Sequence, residues 1–124
     1  MKIIIAGSRT AQWGDVLLGI YKTRFFFTEK VECIISGGAK GADSFGEKWA
    51  HSMGIPVEIF IPDWDTRGKR AGMLRNIDMV NISDGLLAIW DEESKGTKHV
   101  IEYAKSRGLI VSVFSTKTKN FITN

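Results

Sequence analysis

Short apolar runs alternate with longer amphipathic stretches along the whole chain. Five runs are typical of buried strands, at residues 2–6, 31–35, 56–61, 86–90 and 109–114. Apolar residues recur at helical spacing in residues 13–27 and 42–53, then in a helix marked by residues 73, 74, 77 and 80, and in one ending at Gly108. Strict alternation predicts a single α/β domain of three layers, whose five-stranded parallel sheet has the order 3-2-1-4-5.

Four polar loops follow the first four predicted strands. They are residues 7–10, the glycine-rich residues 36–43, the irregular residues 63–72, and residues 91–97. Because the carboxyl ends of parallel strands share one edge of the sheet, these loops are expected to meet there. Ligands bind such sheets where the winding direction reverses, which is between strands 1 and 4 in this order.

The loop after the second strand has the chemistry of an anion site. Its sequence is Ser36-Gly37-Gly38-Ala39-Lys40-Gly41-Ala42-Asp43. Glycines let the backbone turn sharply and approach a ligand, and the helix that follows offers free N–H groups at the positive end of its dipole. We expect backbone N–H groups of this loop to cradle a phosphate; a purely structural turn is the alternative.

Length and composition indicate one globular domain. The chain has 124 residues, of which 44% are hydrophobic and 25% charged. We assign residues 1–114 to the domain and residues 115–124 to a polar tail. No signal peptide and no apolar run long enough for a membrane span is visible, so we expect a cytoplasmic protein without a membrane partner. The lone Cys33 is expected to be a buried apolar group.

The net charge of +3 is too small to indicate nucleic acid by itself, but the basic residues are unevenly placed. Eight of the 17 Lys and Arg residues lie in the four loops or at the helix starts behind them: Arg9, Lys40, Arg67, Lys69, Arg70, Arg75, Lys95 and Lys98. This clustering favours an anionic, phosphate-bearing ligand over an evenly solvated surface. The fingerprints of dinucleotide folds and of phosphate-loop enzymes are absent.

Individual side chains have competing roles. Arg9 and Arg75 suit phosphate because guanidinium binds it bidentately, although Arg75 could instead face solvent from its helix. Thr97 either caps its helix or bonds a phosphate, and Asp43 either caps its helix or accepts from a ribose hydroxyl. Trp64 either stacks on a base or packs against its own loop.

Other residues carry weaker expectations. Lys69 and Arg70 form either a mobile clamp or a solvated charge run. His51 and His99 lack partners at metal-ligand spacing, so no metal is expected. The apolar cluster Phe25 to Phe27 predicts a homo-oligomer, because a small monomer would have difficulty covering it.

Four motifs in order resemble the SLOG superfamily, and more narrowly its small YspA/YpsA-type members. They are Gly7-Ser8-Arg9, the glycine loop, Arg75-Asn76 and Ser94-Lys95-Gly96-Thr97, and the resemblance spans residues 1–114. It implies a Rossmann-like sheet that binds a nucleotide or nucleotide derivative, often related to ADP-ribose or a nicotinamide dinucleotide, with no further cofactor required. The ligand-binding residues are then Gly7, Ser8, Arg9, Ser36, Gly37, Gly38, Lys40, Gly41, Asp43, Trp64, Arg75, Asn76, Ser94, Lys95, Gly96 and Thr97.

The same superfamily contains LOG phosphoribohydrolases, which cleave N-glycosidic bonds of nucleotides. The resemblance puts Arg75 at their catalytic arginine, but their motif P-G-G-x-G-T-x-x-E is incomplete: Gly96-Thr97 is kept and Val100 stands at the glutamate position. Hydrolysis would then need a substitute carboxylate, for which Asp91, Glu92, Glu93 and Asp63 are the candidates.

Three functions follow in order of preference. The first is a non-catalytic nucleotide binder, acting as a sensor or a sequestering protein, and the second is a hydrolase of nucleotide N-glycosidic bonds. The third is a single-stranded DNA binder, since the related Smf/DprA proteins carry an Arg-Asn pair. Nucleic acid is not expected, because Trp64 is the one evident loop aromatic and strand binding needs several.

Overall fold

The computed structural model describes residues 1–23 and 30–122 of the chain. Its strands are β1 (Lys2–Gly7), β2 (Cys33–Ser36), β3 (Val57–Ile59), β4 (Gly85–Trp90) and β5 (Ile110–Ser115). Its helices are α1 (Trp13–Lys22), α2 (Ala42–Ser52), the single-turn α3 (Trp64–Arg67), α4 (Ala71–Asn81) and α5 (Lys95–Ser106), with a 3-10 turn at Gly68–Arg70. The strands form one parallel sheet in the order β3-β2-β1-β4-β5, so the predicted fold class and strand order are confirmed.

Alternate residues of the strands face opposite sides of the sheet, and each side has its own core. On one side α1 and α2 pack against Ile3, Ile5, Ile34, Leu87, Ile89 and Phe114. On the other side α4 and α5 pack against Ile4, Ile35, Leu86, Ala88 and Val113. Burial on both faces explains why the strands read as continuous apolar runs rather than alternating ones.

Two strands are shorter than predicted because their neighbours end. Strand β2 begins at Cys33, which pairs with Lys2 at the start of β1, so residues 31 and 32 lie outside the sheet. Strand β3 ends at Ile59, which pairs with Ser36, the last residue of β2 before the glycine loop. The apolar pattern alone cannot show where a neighbouring strand stops.

The prediction of an irregular loop at residues 63–72 is wrong, because this segment is mostly helical. Asp63 caps α3, its carboxylate oxygen Oδ1 accepting from the Thr66 backbone N–H at 3.2 Å. The 3-10 turn and the start of α4 follow directly. Polar and glycine residues indicated a loop, whereas the cap at Asp63 supplies the acceptor that a short helix needs.

Helix α1 ends before residue 27, and the tail contacts the rest of the domain. Helix α1 ends at Lys22, and the cluster Phe25 to Phe27 lies outside the described residues. In the tail, Phe121 forms an antiparallel bridge with Phe114, their ring centroids 5.5 Å apart, and Lys119 pairs with the buried Asp15. None of the helices within residues 1–23 and 30–122 is long and apolar enough to cross a membrane.

The close approach of α2 to the sheet requires a glycine, and this gives a matched test. A Cβ added at Gly46 would lie 2.7 Å from Ile5 Cγ2, whereas one added at Gly14 on α1 would meet nothing within 4 Å. We expect Gly46→Ala to lower the free energy of unfolding by about 1–3 kcal/mol through overpacking. Gly14→Ala should raise it by about 0.5–1 kcal/mol, since alanine is the better helix residue. Urea unfolding curves measure both, and equal effects would contradict this packing.

Candidate functional site

Two adjoining cavities open where the loops after β1, β2, β3 and β4 meet. The outer cavity has a volume of about 690 Å³, and its lining residues are Arg9, Gly37, Gly38, Ala39, Lys40, Ile61, Pro62, Trp64, Gly72, Met73, Arg75, Asn76, Lys95, Gly96 and His99. The inner cavity has a volume of about 290 Å³ and shares Arg9, Ala39, Arg75, Asn76 and Gly96 with it. Gly7, Asp43, Ser94, Thr97 and Val100 are among the residues that line the inner cavity alone.

The wall between the two cavities is built on Arg75 and Asn76 of α4. The Arg75 guanidinium donates from Nη1 to the Gly37 carbonyl oxygen at 2.6 Å and from Nε to Asn76 Oδ1 at 3.0 Å. Asn76 is buried and donates from Nδ2 to the Gly96 carbonyl oxygen at 3.3 Å. These side chains therefore connect α4 to the glycine loop on one side and to the start of α5 on the other.

The lining of the outer cavity combines cations with exposed apolar side chains. Four basic residues supply the charge, namely Arg9, Lys40, Arg75 and Lys95. The apolar part of the lining comes from Ile61, Trp64 and Met73, which are 72%, 55% and 51% exposed. Apolar side chains this exposed and adjacent to charges are typical of a ligand surface rather than of a core.

Arg9 and Arg75 are close enough to influence each other electrostatically. Burial lowers the pKa of Arg75, Asp43 opposes that effect, and the positive charge of Arg9 adds to it. The Arg9 side chain is exposed and makes no hydrogen bond or ion pair with any residue in the described ranges. Like charges facing one cavity, with a single carboxylate nearby, form an electrostatic site for an anion.

The glycine loop is braced by its own side chains. The Ser36 hydroxyl donates to Glu47 Oε2 at 2.5 Å and accepts from the Gly38 N–H at 3.2 Å, and the Ala39 N–H donates to Asp43 Oδ2 at 3.2 Å. The Gly38 amide, which was expected to face a phosphate, and the neighbouring Ala39 amide therefore already have partners within the loop. The cations of the outer cavity remain as charged groups next to this loop.

Glycine is required at two positions of this loop by close approach. A Cβ at Gly37 would lie 2.5 Å from Arg75 Nη1 and 2.8 Å from Asp43 Oδ2. Gly41 has φ +75°, and its Cβ would lie 2.5 Å from the carbonyl oxygens of Ser8 and of Arg9. The first glycine makes room for the guanidinium, and the second lets the loops after β1 and β2 pack together.

Asp43 does not cap α2, because the N-cap residue is Gly41. Asp43 is 4% exposed, and its carboxylate lies between the glycine loop and Arg75. Burial raises the pKa of Asp43, although the Ala39 N–H and the charge of Arg75 both work against the rise. Asp43 is the one acidic residue, among those that the structure describes, that lines either cavity.

Ser94, not Thr97, caps α5. The Ser94 hydroxyl oxygen accepts from the Thr97 N–H at 3.4 Å and from Thr97 Oγ1 at 3.1 Å, which leaves the N–H groups of Lys95 and Gly96 as the first of the helix. Neither of these two N–H groups has a partner within the described residues. The positive end of the α5 dipole therefore faces the cavities with donors available.

Asp91 holds this helix start against the loop after β1. Its carboxylate accepts from the N–H groups of Glu93 and Ser94 at 2.9 and 2.8 Å, and its own N–H donates to the Ser8 hydroxyl at 2.9 Å. Burial acts to raise the pKa of Asp91, but these backbone hydrogen bonds outweigh it and the pKa is lowered. The Asp91 carboxylate is thus committed to the loop.

The structure brings most of the predicted ligand-binding residues to the cavities. Nine line the outer cavity and four more line only the inner one: Gly7, Asp43, Ser94 and Thr97. Ser8, Ser36 and Gly41 line neither, because they hold the loops together through the contacts above. The substitute carboxylates Asp63, Asp91, Glu92 and Glu93 also line neither cavity.

Half of the eight clustered basic residues lie elsewhere. Arg67 pairs with Asp78 at 3.4 Å, and Lys69, Arg70 and Lys98 do not line the two cavities. The sequence prediction missed His99, Ile61, Pro62 and Met73. A helical projection places His99 one turn beyond Gly96, and this spacing was the signal in the sequence that could have identified His99. In the described part of the chain, no group of three or more His, Cys, Asp or Glu residues could hold a metal ion.

The chain is similar to known proteins in its sequence and in its fold. The model of the YspA, cpYpsA-related SLOG family (YAcAr) matches residues 1–66. The gene 61 protein of Mycobacterium phage D29 is 32% identical over 127 residues, which cover 94% of this chain and 98% of that protein. The structure of DNA processing protein A (DprA) from Streptococcus pneumoniae matches with a TM-score of 0.72 and 20% identity, covering 91% of this chain and 50% of that one. This last likeness concerns the fold alone.

The capping role of Ser94 is testable on stability. Ser94→Ala should lower the free energy of unfolding by about 1 kcal/mol, because the helix loses its cap acceptor. Ser94→Asp keeps an acceptor and adds a negative charge at the positive end of the dipole, so it should stay near the original stability. Urea unfolding would contradict the assignment if alanine and aspartate gave the same midpoint.

Proposed function

Since the chain belongs to the YspA, cpYpsA-related SLOG family, we propose that it binds a nucleotide or nucleotide derivative in the two cavities at the carboxyl edge of its sheet. ADP-ribose, a nicotinamide dinucleotide and a nucleoside monophosphate are the candidate ligands. The observation that carries the proposal is that Arg9 and Arg75 line the same cavity as the exposed apolar side chains do. A ligand with a phosphate and an attached ring system would suit both the arginines and the apolar side chains.

The phosphate part of the proposal is supported by the groups available to bind it. Arg9, Lys40 and Lys95 are exposed cations without ion-pair partners in the described ranges. Gly96, in the first turn of α5, lines both cavities together with Arg75 and Asn76, and its carbonyl oxygen accepts from Asn76. Guanidinium groups and a helix N-terminus together bind phosphate oxygens from several directions.

The nucleoside part of the proposal is supported by the apolar residues that line the outer cavity. Trp64 lies beside Gly72, where an added Cβ would be 3.6 Å from the indole Cη2 atom. The absence of a side chain at Gly72 therefore leaves the ring accessible, and exposed aromatic rings are platforms on which bases stack. A volume of about 690 Å³ is in the range of small-molecule sites.

We propose a binder rather than a hydrolase because carboxylates are scarce at the cavities. Val100, at the position of the glutamate in the related phosphoribohydrolase motif, is 2% exposed and packs in the core. The remaining candidate acid is Asp43, which is held by the glycine loop. Its raised pKa is the one specific observation that favours a hydrolase, since a protonated acid could assist departure of a base.

Removal of one arginine tests ligand binding. Arg9→Ala should weaken binding of AMP or ADP-ribose by roughly 10- to 100-fold, which is the worth of a charge-assisted hydrogen bond. Stability should be unchanged, since the Arg9 side chain makes no hydrogen bond or ion pair with the residues described. Isothermal titration calorimetry measures the affinities.

The matched control is Lys117→Ala, which removes the same charge from an exposed tail position outside both cavities. Equal weakening by the two variants would mean that net charge alone attracts the ligand. A dT oligonucleotide should bind no more tightly than the free nucleotides; tighter binding would favour the single-stranded DNA alternative.

Incubation with AMP, NAD and cyclic ADP-ribose separates the binder from the hydrolase. We expect chromatography to recover each compound intact, with no free base. Base release that is lost in Asp43→Asn would instead establish the hydrolase and identify its acid, provided that the variant still binds AMP.

A further inference from the structure

The orientation of the Asn76 side chain is determined by its neighbours. The Nε atom of Arg75 can only donate, so the Asn76 atom 3.0 Å from it is the oxygen Oδ1. The nitrogen Nδ2 consequently faces the Gly96 carbonyl oxygen at 3.3 Å and His99 Nδ1 at 3.2 Å. No alternative amide orientation satisfies all three contacts.

The contact with Asn76 also determines the tautomer of His99. Because Asn76 Nδ2 is a donor, His99 Nδ1 must accept, and the hydrogen of the neutral imidazole is then on Nε2. Burial lowers the pKa of His99, although Glu102 acts against it, so the ring is neutral near pH 7. Tyr103 stacks on the ring with centroids 6.3 Å apart and planes 9° apart, which fixes the plane of the imidazole.

We propose that His99 determines ligand specificity by donating its Nε2–H to an uncharged oxygen of the nucleotide, either a ribose hydroxyl or a base carbonyl. This inference rests on the proposed function. His99 lines the outer cavity beside Lys95 and Gly96, on the wall that Asn76 joins to Arg75. A neutral donor suits an uncharged acceptor, whereas the phosphate charge is already met by the arginines and lysines.

Two roles of His99 can be separated, since its two nitrogens do different things. Nδ1 supports Asn76 and, through it, the position of Arg75. Nε2 is the atom assigned to the ligand. Asparagine reaches only the position of Nδ1, and glutamine reaches that of Nε2, so the two substitutions remove one role each.

The test compares His99→Asn with His99→Gln in calorimetric titrations with AMP and ADP-ribose. If Nε2 contacts the ligand, His99→Asn should weaken binding by about 3- to 10-fold, the worth of a neutral hydrogen bond, while His99→Gln stays closer to the original affinity. A purely supporting role predicts the reverse order, and that result, or equal affinities, would overturn the inference. Failure of the unmodified chain to bind either compound would overturn the proposed function, and this inference with it.

A spectroscopic measurement checks the tautomer without any ligand. The chain has two histidines, so nitrogen-15 NMR of the imidazoles gives two sets of signals, and His51→Gln identifies those of His99. We expect Nδ1 without hydrogen, Nε2 with hydrogen, and a shift of the Nε2 signal when AMP or ADP-ribose is added. Hydrogen on Nδ1, or a Nε2 signal that does not respond to a bound compound, would overturn the assignment.

Discussion

The hydrogen bond from Arg75 Nη1 to the Gly37 carbonyl oxygen is the interaction on which the candidate site depends. It joins α4, which belongs to one side of the sheet, to the loop that leads into α2 on the other side. The contact exists because Gly37 has no side chain, as a Cβ there would lie 2.5 Å from Nη1. With the guanidinium held at this point, Asn76 is oriented in turn and reaches the start of α5.

This arrangement leaves the site short of negative charge. Asp43 balances part of the charge of Arg75, but burial raises the pKa of the one and lowers that of the other, so desolvation opposes both charged forms. Arg9 adds a second guanidinium with no acidic partner among the residues described. An anion that enters the cavity would offset the repulsion between Arg9 and Arg75 and the desolvation of the Arg75 cation, which is why the proposed ligand carries phosphate.

The family relationship and the geometry contribute different parts of this account. Membership of the YspA, cpYpsA-related SLOG family identifies the relatives of the chain, and the likeness to DprA concerns the fold alone. The cavity lining supports a proposal about particular groups: the cations, Trp64, and His99 with its contact to Asn76. A fold shared by many activities could not supply this detail.

The sequence by itself determined the layered fold, the strand order and the edge at which the loops meet. Continuous apolar strands, helical periodicity and right-handed crossovers leave few arrangements, and those signals are local. Only the tertiary structure decided which loop residues face the cavity and which support it. Ser8, Ser36 and Gly41 share motifs with Arg9 and Gly37, yet their contacts are with other parts of the chain. Helical spacing places His99 one turn beyond Gly96, but only the packing of two helices decides that His99 contacts Asn76, 23 residues earlier, because that contact is not local.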